Sequence, residues 1–259
     1  MSQPKLAIVT GASSGIGLEI ARLAAKDNYD LIVAADEPLV DASKVFKEFG
    51  VSVRSVEADL STDQGVRQLI EAAGDRPVDV LVANAGRGHG GAFVDQRPEE
   101  WKHTIGTNVI GTLLLVQPIL KRMLDRGEGR ILVTGSIAGY VPGSFNAVYN
   151  GTKAFIDNFC AAISDEIKDS EVTLTVLKPG ATETEFFRRA DMLDTRVGQE
   201  EKADPAAVAE TGWKAMLKGE KSVVHGWLNK ATVLTAGLVP ESVTAARHRK
   251  QAEPGSGED

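Results

Sequence analysis

Short runs of consecutive apolar residues, many of them β-branched, alternate along this chain with longer segments whose apolar positions recur at helical spacing. The runs are Leu6–Thr10, Leu31–Ala35, Val51–Val56, Val78–Ala83, Ile131–Thr134 and Val172–Leu177. Runs without polar alternation predict strands covered on both faces. The segments between them predict helices at 15–26, 39–49, 63–74, 99–126 and 149–169, with another near 205–218 before a last strand at Ser222–Val224. Strand and helix in regular alternation imply a parallel sheet with right-handed crossovers. The expected class is therefore α/β, a single doubly wound parallel-sheet domain of about seven strands with helices on both faces. Residues 182–204 break the rhythm and predict a loop with short helices, while 226–240 predicts an extra helix beyond the sheet. No linker rich in Pro, Gly or Ser divides the chain, so one domain is expected over 1–240. Residues 241–259 are polar and read as a frayed tail.

Composition narrows the function classes. The chain has 259 residues, 42% hydrophobic and 25% charged, which suits a packed core and excludes disorder, collagen and disulfide scaffolds as descriptions of the whole. Its single cysteine, Cys160, cannot form an internal disulfide and falls in the helical Phe155–Ile163 pattern as core filler, so a reducing, cytoplasmic setting is expected. Acidic residues outnumber basic ones, 36 to 29; that field repels phosphate backbones and argues against nucleic acid. The residues before Leu6 lack the apolar h-region of a secretory signal. The most membrane-like stretch, Val223 to Val239, is interrupted by His225, Asn229 and Lys230, short of the ~20 apolar residues a spanning helix needs. No membrane span is expected. His103, His225 and His248 show no metal-ligand spacing with each other or with Cys160, and no metal site is expected.

Candidate chemistry begins after the first strand. There Gly11-Ala12-Ser13-Ser14-Gly15-Ile16-Gly17 leads directly into a helix-period run. Glycines let such a turn be tight and let its backbone approach a pyrophosphate, and the helix N-terminus offers free N–H groups and a partial positive charge. This places a dinucleotide on a Rossmann-type site. Asp36 ends the second strand at about the 20-residue spacing at which an acid binds the adenosine ribose hydroxyls. A carboxylate there repels the extra phosphate of NADP: one charge pair at ~4 Å and an effective dielectric of ~20 is worth about 4 kcal/mol before screening. NAD(H) is thus favoured, with NADP(H) left open.

A second constellation lies further on. Tyr149 and Lys153 are one helical turn apart and share a face. A free tyrosine has a pKa of ~10, and a neighbouring ammonium favours the phenolate. Together with a positively charged nicotinamide, the lysine would let Tyr149 exchange a proton near neutrality. Ser136, just past the strand Ile131–Thr134, falls at the carboxyl edge of the sheet, where such folds bind ligands.

With these residues the chain resembles the short-chain dehydrogenase/reductase family, in its short single-domain form, over about residues 5–225. Thr10-Gly11 with Gly15-Ile16-Gly17 matches the family's cofactor loop, and Ser13 and Ser14 fall inside it. Asp59-Leu60 matches the pair that touches adenine, and Asn84-Ala85-Gly86 the segment beside the cofactor. Pro179-Gly180 with Thr182 and Thr184 matches the stretch near the nicotinamide. The resemblance implies a catalytic set of Asn108, Ser136, Tyr149 and Lys153. In it Tyr149 moves the proton on the substrate oxygen and Ser136 hydrogen-bonds that oxygen. Lys153, which like Tyr149 also contacts the cofactor, binds the nicotinamide ribose. Asn108 holds a water in a proton relay. It further implies a homotetramer or homodimer paired through the long helices. Two positions depart from the pattern: Ala83 stands where a second asparagine is frequent, and Ala35 where the NAD-type acid frequently lies.

The substrate side is expected in 87–93, in Ala138–Phe145 and in 182–204. Tyr140, Val141, Pro142 and Phe145 predict an apolar pocket, Phe186, Phe187 and Met192 a lid or ordinary packing, and Arg87, Arg188 and Arg189 are the cations that could meet an anionic group. His89 reads as a solvated loop residue or a substrate contact. The expected activity is hydride transfer between NAD(H) and a small apolar carbonyl compound or secondary alcohol. The rivals are a dinucleotide-binding regulatory or scaffold protein without turnover and a sugar-nucleotide epimerase or dehydratase. The intact Asn-Ser-Tyr-Lys set argues against the first, and the short chain against the second.

Overall fold

The computed structural model describes residues 4–257. Its sheet has seven parallel strands in the order β3-β2-β1-β4-β5-β6-β7: β1 Leu6–Thr10, β2 Asp30–Ala35, β3 Val53–Glu57, β4 Val80–Ala83, β5 Gly129–Thr134, β6 Val172–Lys178 and β7 Ser222–Val224. The connecting helices are α1 Gly15–Lys26, α2 Val40–Lys47, α3 Asp63–Ala73, α4 Pro98–Ile105, α5 Thr112–Arg126 and α6 Ala147–Glu166. The short α7 Phe186–Arg189 and α8 Arg196–Gln199 follow β6, then α9 Pro205–Leu217, α10 Trp227–Ala236 and α11 Glu241–Ala252.

Period-two burial sorts the strand residues onto two cores. In β1, Leu6 and Ile8 join Val66 and Leu69 of α3, Leu115, Val116 and Ile119 of α5, and Ile156 and Cys160 of α6. Ala7 and Val9 point to the other face, against Ile20, Ala21 and Ala24 of α1, Phe46 of α2, and Val208 and Trp213 of α9. Successive side chains on a strand point to opposite faces, so a run apolar at every position needs both covers. Helix ends follow local chemistry. Thr62 caps α3 by accepting from Gly65 N at 3.0 Å. Asp204 caps α9 with Pro205 at its first position. Gly127, at φ 80°, ends α5 in the left-handed region.

Three expectations change. Several strands shift by one to two residues at an end: β3 starts at Val53, β4 at Val80 and β5 at Gly129. The single helix predicted over 99–126 is two helices joined by a π turn at Gly106–Gly111. A π turn adds a residue to the helical repeat and is frequent at functional sites; this one carries Asn108. Gly111 permits it, since a Cβ there would lie 2.0 Å from the Leu60 carbonyl oxygen. By length and composition Pro98–Arg126 could cross a membrane, but Leu115, Val116, Ile119, Leu120 and Met123 are buried on the sheet.

The largest change concerns 241–259, expected to be a frayed tail. It forms α11, whose Ala252 is buried at 1% exposure in a cluster with Phe187, Ala190 and Met192. Ser144 Oγ donates to the Ala245 carbonyl at 3.0 Å, and Gly255 N donates to Asp194 Oδ2 at 2.8 Å. The polar sequence hid this because one alanine and a few hydrogen bonds, rather than an apolar stripe, dock the helix. Residues 258–259 of that segment, like residues 1–3, lie outside the described residues.

Candidate active site

A cleft of about 370 Å³ runs along the carboxyl edge of the sheet, within the ~300–1,000 Å³ usual for small-molecule sites. One end is made by the β1–α1 loop. Gly11, Ser13, Ser14, Gly15 and Ile16 line it, with Asp36 after β2, Asp59 and Leu60 after β3, and Asn84, Ala85 and Gly86 after β4. Gly11 and Gly15 have φ of 66° and 56°, values reserved largely for glycine. Gly17 does not line the cleft but closes the packing behind it. A Cβ there would fall 2.1 Å from the Gly11 carbonyl oxygen, so helix and loop touch backbone to backbone.

Side-chain hydrogen bonds hold three strand ends in register. Thr10 Oγ1 accepts from the backbone N–H groups of Asn84 and Ala85, both at 2.9 Å. Asn84 Nδ2 donates to the Thr10 carbonyl at 3.0 Å, and its Oδ1 accepts from Thr134 Oγ1 at 3.0 Å. These bonds leave the glycine loop open and pinned. An open glycine cradle at a helix N-terminus, with acids at the ends of β2 and β3, fits the pyrophosphate and adenosine of a nicotinamide dinucleotide.

The middle of the cleft carries the predicted catalytic residues, all brought together. Ser136, Tyr149 and Lys153 line it, and Asn108 stands behind them at 2% exposure. The π turn aims Asn108 inward: its Oδ1 accepts from Arg87 N at 2.8 Å, and its Nδ2 donates to the Arg87 carbonyl at 2.8 Å and to Thr152 Oγ1 at 2.9 Å. Lys153 Nζ donates to the Thr134 carbonyl at 2.8 Å and lies 5.8 Å from the Tyr149 ring centroid. Ser136 Oγ accepts from Ala138 N at 3.1 Å.

The expected ionisation of Tyr149 calls on a positive nicotinamide as well as Lys153; the protein's own groups act the other way. Burial, aided by the Asp157 carboxylate, pushes Tyr149 up to about 12, against a lowering hydrogen bond with Ser136. Burial also brings Lys153 down to about 8, against the raising charge of Asp157. Desolvation disfavours either charged form, and for Tyr149 it outweighs the lowering hydrogen bond with Ser136. The resting site therefore holds Tyr149 as the neutral phenol, a proton donor.

Pro179, Gly180, Thr182 and Thr184 continue the lining past β6. The far end is apolar: Val141, Phe186, Phe187, Met192 and Val197 line it, and Phe186 packs on Tyr149 with ring centroids 5.0 Å apart. The predicted lid residues thus serve both readings, facing the cleft and packing on one another. Tyr140, Pro142 and Phe145 do not line the cleft. The Tyr140 hydroxyl meets Lys178, and Phe145, at φ 61°, lies under Arg249. His89 is engaged by Glu100 at 2.9 Å, outside the lining. Arg188 pairs with Glu185, whereas Arg189 lines the cleft and crosses it to pair with Glu37.

Several lining residues escaped the sequence. Thr232 of α10 and His248, Gln251 and Ala252 of α11 close the substrate end. His248 Nδ1 lies 2.8 Å from the Ser144 carbonyl oxygen. That oxygen only accepts, so Nδ1 carries the hydrogen, and burial lowers the ring's pKa; Nε2 of the neutral ring is then an acceptor. A histidine in a polar segment gives no sequence signal for this. Cys160 is buried in the core, its thiol pushed up to about 12. Among the described residues no group of three His, Cys, Asp or Glu is placed to hold a metal ion.

The comparisons agree with this geometry. The family profile described as short chain dehydrogenase matches residues 5–193. An acetoacetyl-CoA reductase of Acinetobacter sp. (strain RA3849) is 32% identical over 221 residues, covering 81% of this chain and 89% of the relative. The solved short-chain dehydrogenase of Sphingobium yanoikuyae in complex with NADPH has a TM-score of 0.80 at 26% identity, covering 90% of this chain and 94% of the other. A short chain dehydrogenase/reductase of Burkholderia phymatum in complex with NAD shares the fold, with a TM-score of 0.83 at 24% identity and coverage of 92% and 94%. Sequence match, seven-strand parallel sheet and dinucleotide cradle converge, and the chain belongs to the short-chain dehydrogenase/reductase family of nicotinamide-dinucleotide-dependent oxidoreductases.

Proposed function

We propose that the protein reduces a small, largely apolar ketone or aldehyde, with Tyr149 as proton donor and NADH as the favoured cofactor. The observation that carries this reading is the wall formed by Ser136, Tyr149 and Lys153 facing Phe186 and Met192 in one cleft with the glycine cradle. When bound, the dinucleotide supplies or accepts the hydride. Gly11, Ser13, Ser14, Gly15, Ile16, Asp59, Leu60, Asn84, Ala85 and Gly86, with Gly17 behind them, would hold its adenosine and pyrophosphate. Pro179, Gly180, Thr182 and Thr184 would hold the nicotinamide end.

Each residue then has a role. Ser136 donates a hydrogen bond to the substrate oxygen as negative charge grows on it. Tyr149, neutral at rest, gives that oxygen its proton. Lys153 carries the charge that makes the departing proton cheaper to lose, and it binds the nicotinamide ribose. Asn108, fixed at the Arg87 backbone, holds the relay that returns a proton toward Lys153. In the oxidative direction the proton runs back, helped by the positive charge of an oxidised nicotinamide. A protonated resting phenol matches reduction better.

NADH is favoured because Asp36 lines the adenosine end and is exposed there. Glu37 beside it is already paired to Arg189. A substrate hydroxyl or amide hydrogen would suit the free acceptor of His248. A homodimer or homotetramer is in keeping with the exposed Ile110 and Phe155 on the π turn and α6, and a cytoplasmic setting with the lone buried thiol. Nothing in the site favours a scaffold without turnover.

The test is a panel of ketones, aldehydes and secondary alcohols assayed by reduced-nicotinamide absorbance with both cofactors in both redox states. Turnover of apolar carbonyls with a higher kcat/KM for NADH is expected. A preference for NADPH, or turnover confined to anionic substrates, would overturn the finer reading.

A further inference from the structure

A second set of charged groups lies under the catalytic wall, where the mechanism above does not use it. Asp157 sits one turn after Lys153 on α6, on the same face. Its side chain is 11% exposed and stands 3.3 Å from Lys178 Nζ, itself 10% exposed. Lys178 in turn donates to the Tyr140 hydroxyl and lies 4.7 Å from that ring's centroid. Among the described residues, neither buried Asp157 oxygen has a hydrogen-bond partner. Room for them comes from Gly135, where a Cβ would lie 2.4 Å from Asp157 Oδ1.

The location gives this cluster its meaning. Gly135 immediately precedes Ser136, and Tyr140 ends the 3-10 turn that Ser136 caps. Asp157 shares a helix with Tyr149 and Lys153, and Lys178 immediately precedes Pro179 at the nicotinamide end. One ion pair therefore ties together the three segments that carry the catalytic wall. Burying such a pair is a poor way to gain stability, since desolvation offsets most of the attraction and apolar side chains would do as well. What such a pair can do instead is fix geometry and local charge.

We propose that Asp157 and Lys178 form a positioning ion pair that acts through Lys153 on Tyr149, keeping the lysine an ammonium and the phenol a proton donor. The inference rests on the reading of Tyr149 and Lys153 as the proton-transfer groups. The charged and titratable groups facing Asp157 are Lys153, Tyr149 and Cys160 from its own helix and Lys178 from β6, with Tyr140 behind Lys178. The carboxylate raises both the phenol and the ammonium, and Lys178 Nζ sets the opposite charge 3.3 Å from it.

The signs of two substitutions follow. Asp157→Asn removes a negative charge and lowers both pKa values, so the alkaline fall of kcat for carbonyl reduction moves to lower pH. Lys178→Gln unmasks that charge and moves the same limb to higher pH. At separations of several ångströms and an effective dielectric of ~20, shifts of about half a pH unit or more are expected. Asp157→Asn should also lower kcat by about tenfold with KM nearly unchanged, less than the ~10²–10⁴-fold of a group that transfers the proton itself. Asp157→Glu should return the limb most of the way.

The experiment is a set of pH–rate profiles on the full chain with the best carbonyl from the panel and saturating reduced cofactor. Limbs displaced in opposite directions by the two variants support the proposal. Coincident limbs in folded, dinucleotide-binding variants overturn it, as do limbs displaced in the same direction. Should Asp157→Asn fail to fold, Lys178→Gln decides alone, and an unmoved or lowered limb overturns the proposal. Tyr149→Phe separates the two readings: residual wild-type turnover there defeats the catalytic assignment itself. An inactive Tyr149→Phe beside an unmoved Asp157→Asn profile defeats only the ion pair.

Discussion

The two ends of the cleft are built from different materials. At the adenosine end the surface is mostly backbone: Gly11 and Gly15 at positive φ, Gly17 against the Gly11 carbonyl, and strand ends stitched by Thr10 and Asn84. At the substrate end it is side chains drawn from segments far apart in sequence, with Val141, Phe186, Met192, Thr232 and His248 meeting across the opening. A surface made of backbone tolerates no added atom, and its shape can be specified within a few residues. One made of side chains can be altered residue by residue, so its chemistry can vary while the cradle stays fixed. The wall of Ser136, Tyr149 and Lys153 lies where the two meet.

That contrast can be tested from its strongest consequence downward. Tyr149→Phe removes the proton donor without touching the backbone cradle. Its kcat should fall by about 10²–10⁴, while NADH binding, followed by quenching of protein fluorescence, stays within about twofold. A matched loss of binding would show that the phenol holds the cofactor rather than doing the chemistry.

Gly17→Ala should do the reverse. Its Cβ would meet the Gly11 carbonyl oxygen at 2.1 Å and Asn84 Nδ2 at 2.5 Å, displacing the loop. Overpacking of this kind costs about 1–3 kcal/mol, and dinucleotide Kd should rise by about tenfold or more. Thermal unfolding and binding titration read both; unchanged affinity would show that the cradle is softer than its geometry.

Asp36→Arg exchanges repulsion for attraction at the ribose end and should shift the NADPH-to-NADH ratio of kcat/KM upward by about tenfold. A fixed ratio would remove Asp36 as the selector and direct attention to the Arg189–Glu37 pair. The smallest effect belongs to the substrate end. Ending the chain at Pro240 removes His248, Gln251 and Ala252, so KM for the carbonyl should rise by about fivefold, one weak contact's worth. The Kd for NADH should not move. An unchanged KM would make α11 mere cladding.

Legibility in the sequence divided along the same line. The β1–α1 loop and the 149–153 spacing are local, so each could be read from a few neighbouring residues and placed at the carboxyl edge by the strand–helix rhythm, while Asp59-Leu60 and Asn84-Ala85-Gly86 were legible only through the family resemblance. The π turn under Asn108 was not readable, because the close approach of Gly111 to the Leu60 carbonyl that goes with it is a contact across the fold. Tyr140 and Phe145 looked like pocket wall by their nearness to Ser136, yet Lys178 and Arg249 draw them elsewhere. The depth at which Tyr149 is buried, which raises its pKa, was not visible in the sequence, whereas the neighbouring lysine was.

By itself the sequence determined the parallel seven-strand plan, the glycine cradle and the shared face of Tyr149 and Lys153, since strand periodicity, turn chemistry and helix spacing act over a few residues; Asn108 and the four-residue set came from the family resemblance. Only the tertiary structure decided that α11 docks over the substrate end, that Arg189 spans the cleft to Glu37, and that Asp157 and Lys178 meet beneath Tyr149. Those pairings join residues between about 20 and 150 positions apart. Their energies depend on desolvation and on which surfaces happen to close over them, quantities that do not exist until the chain has folded.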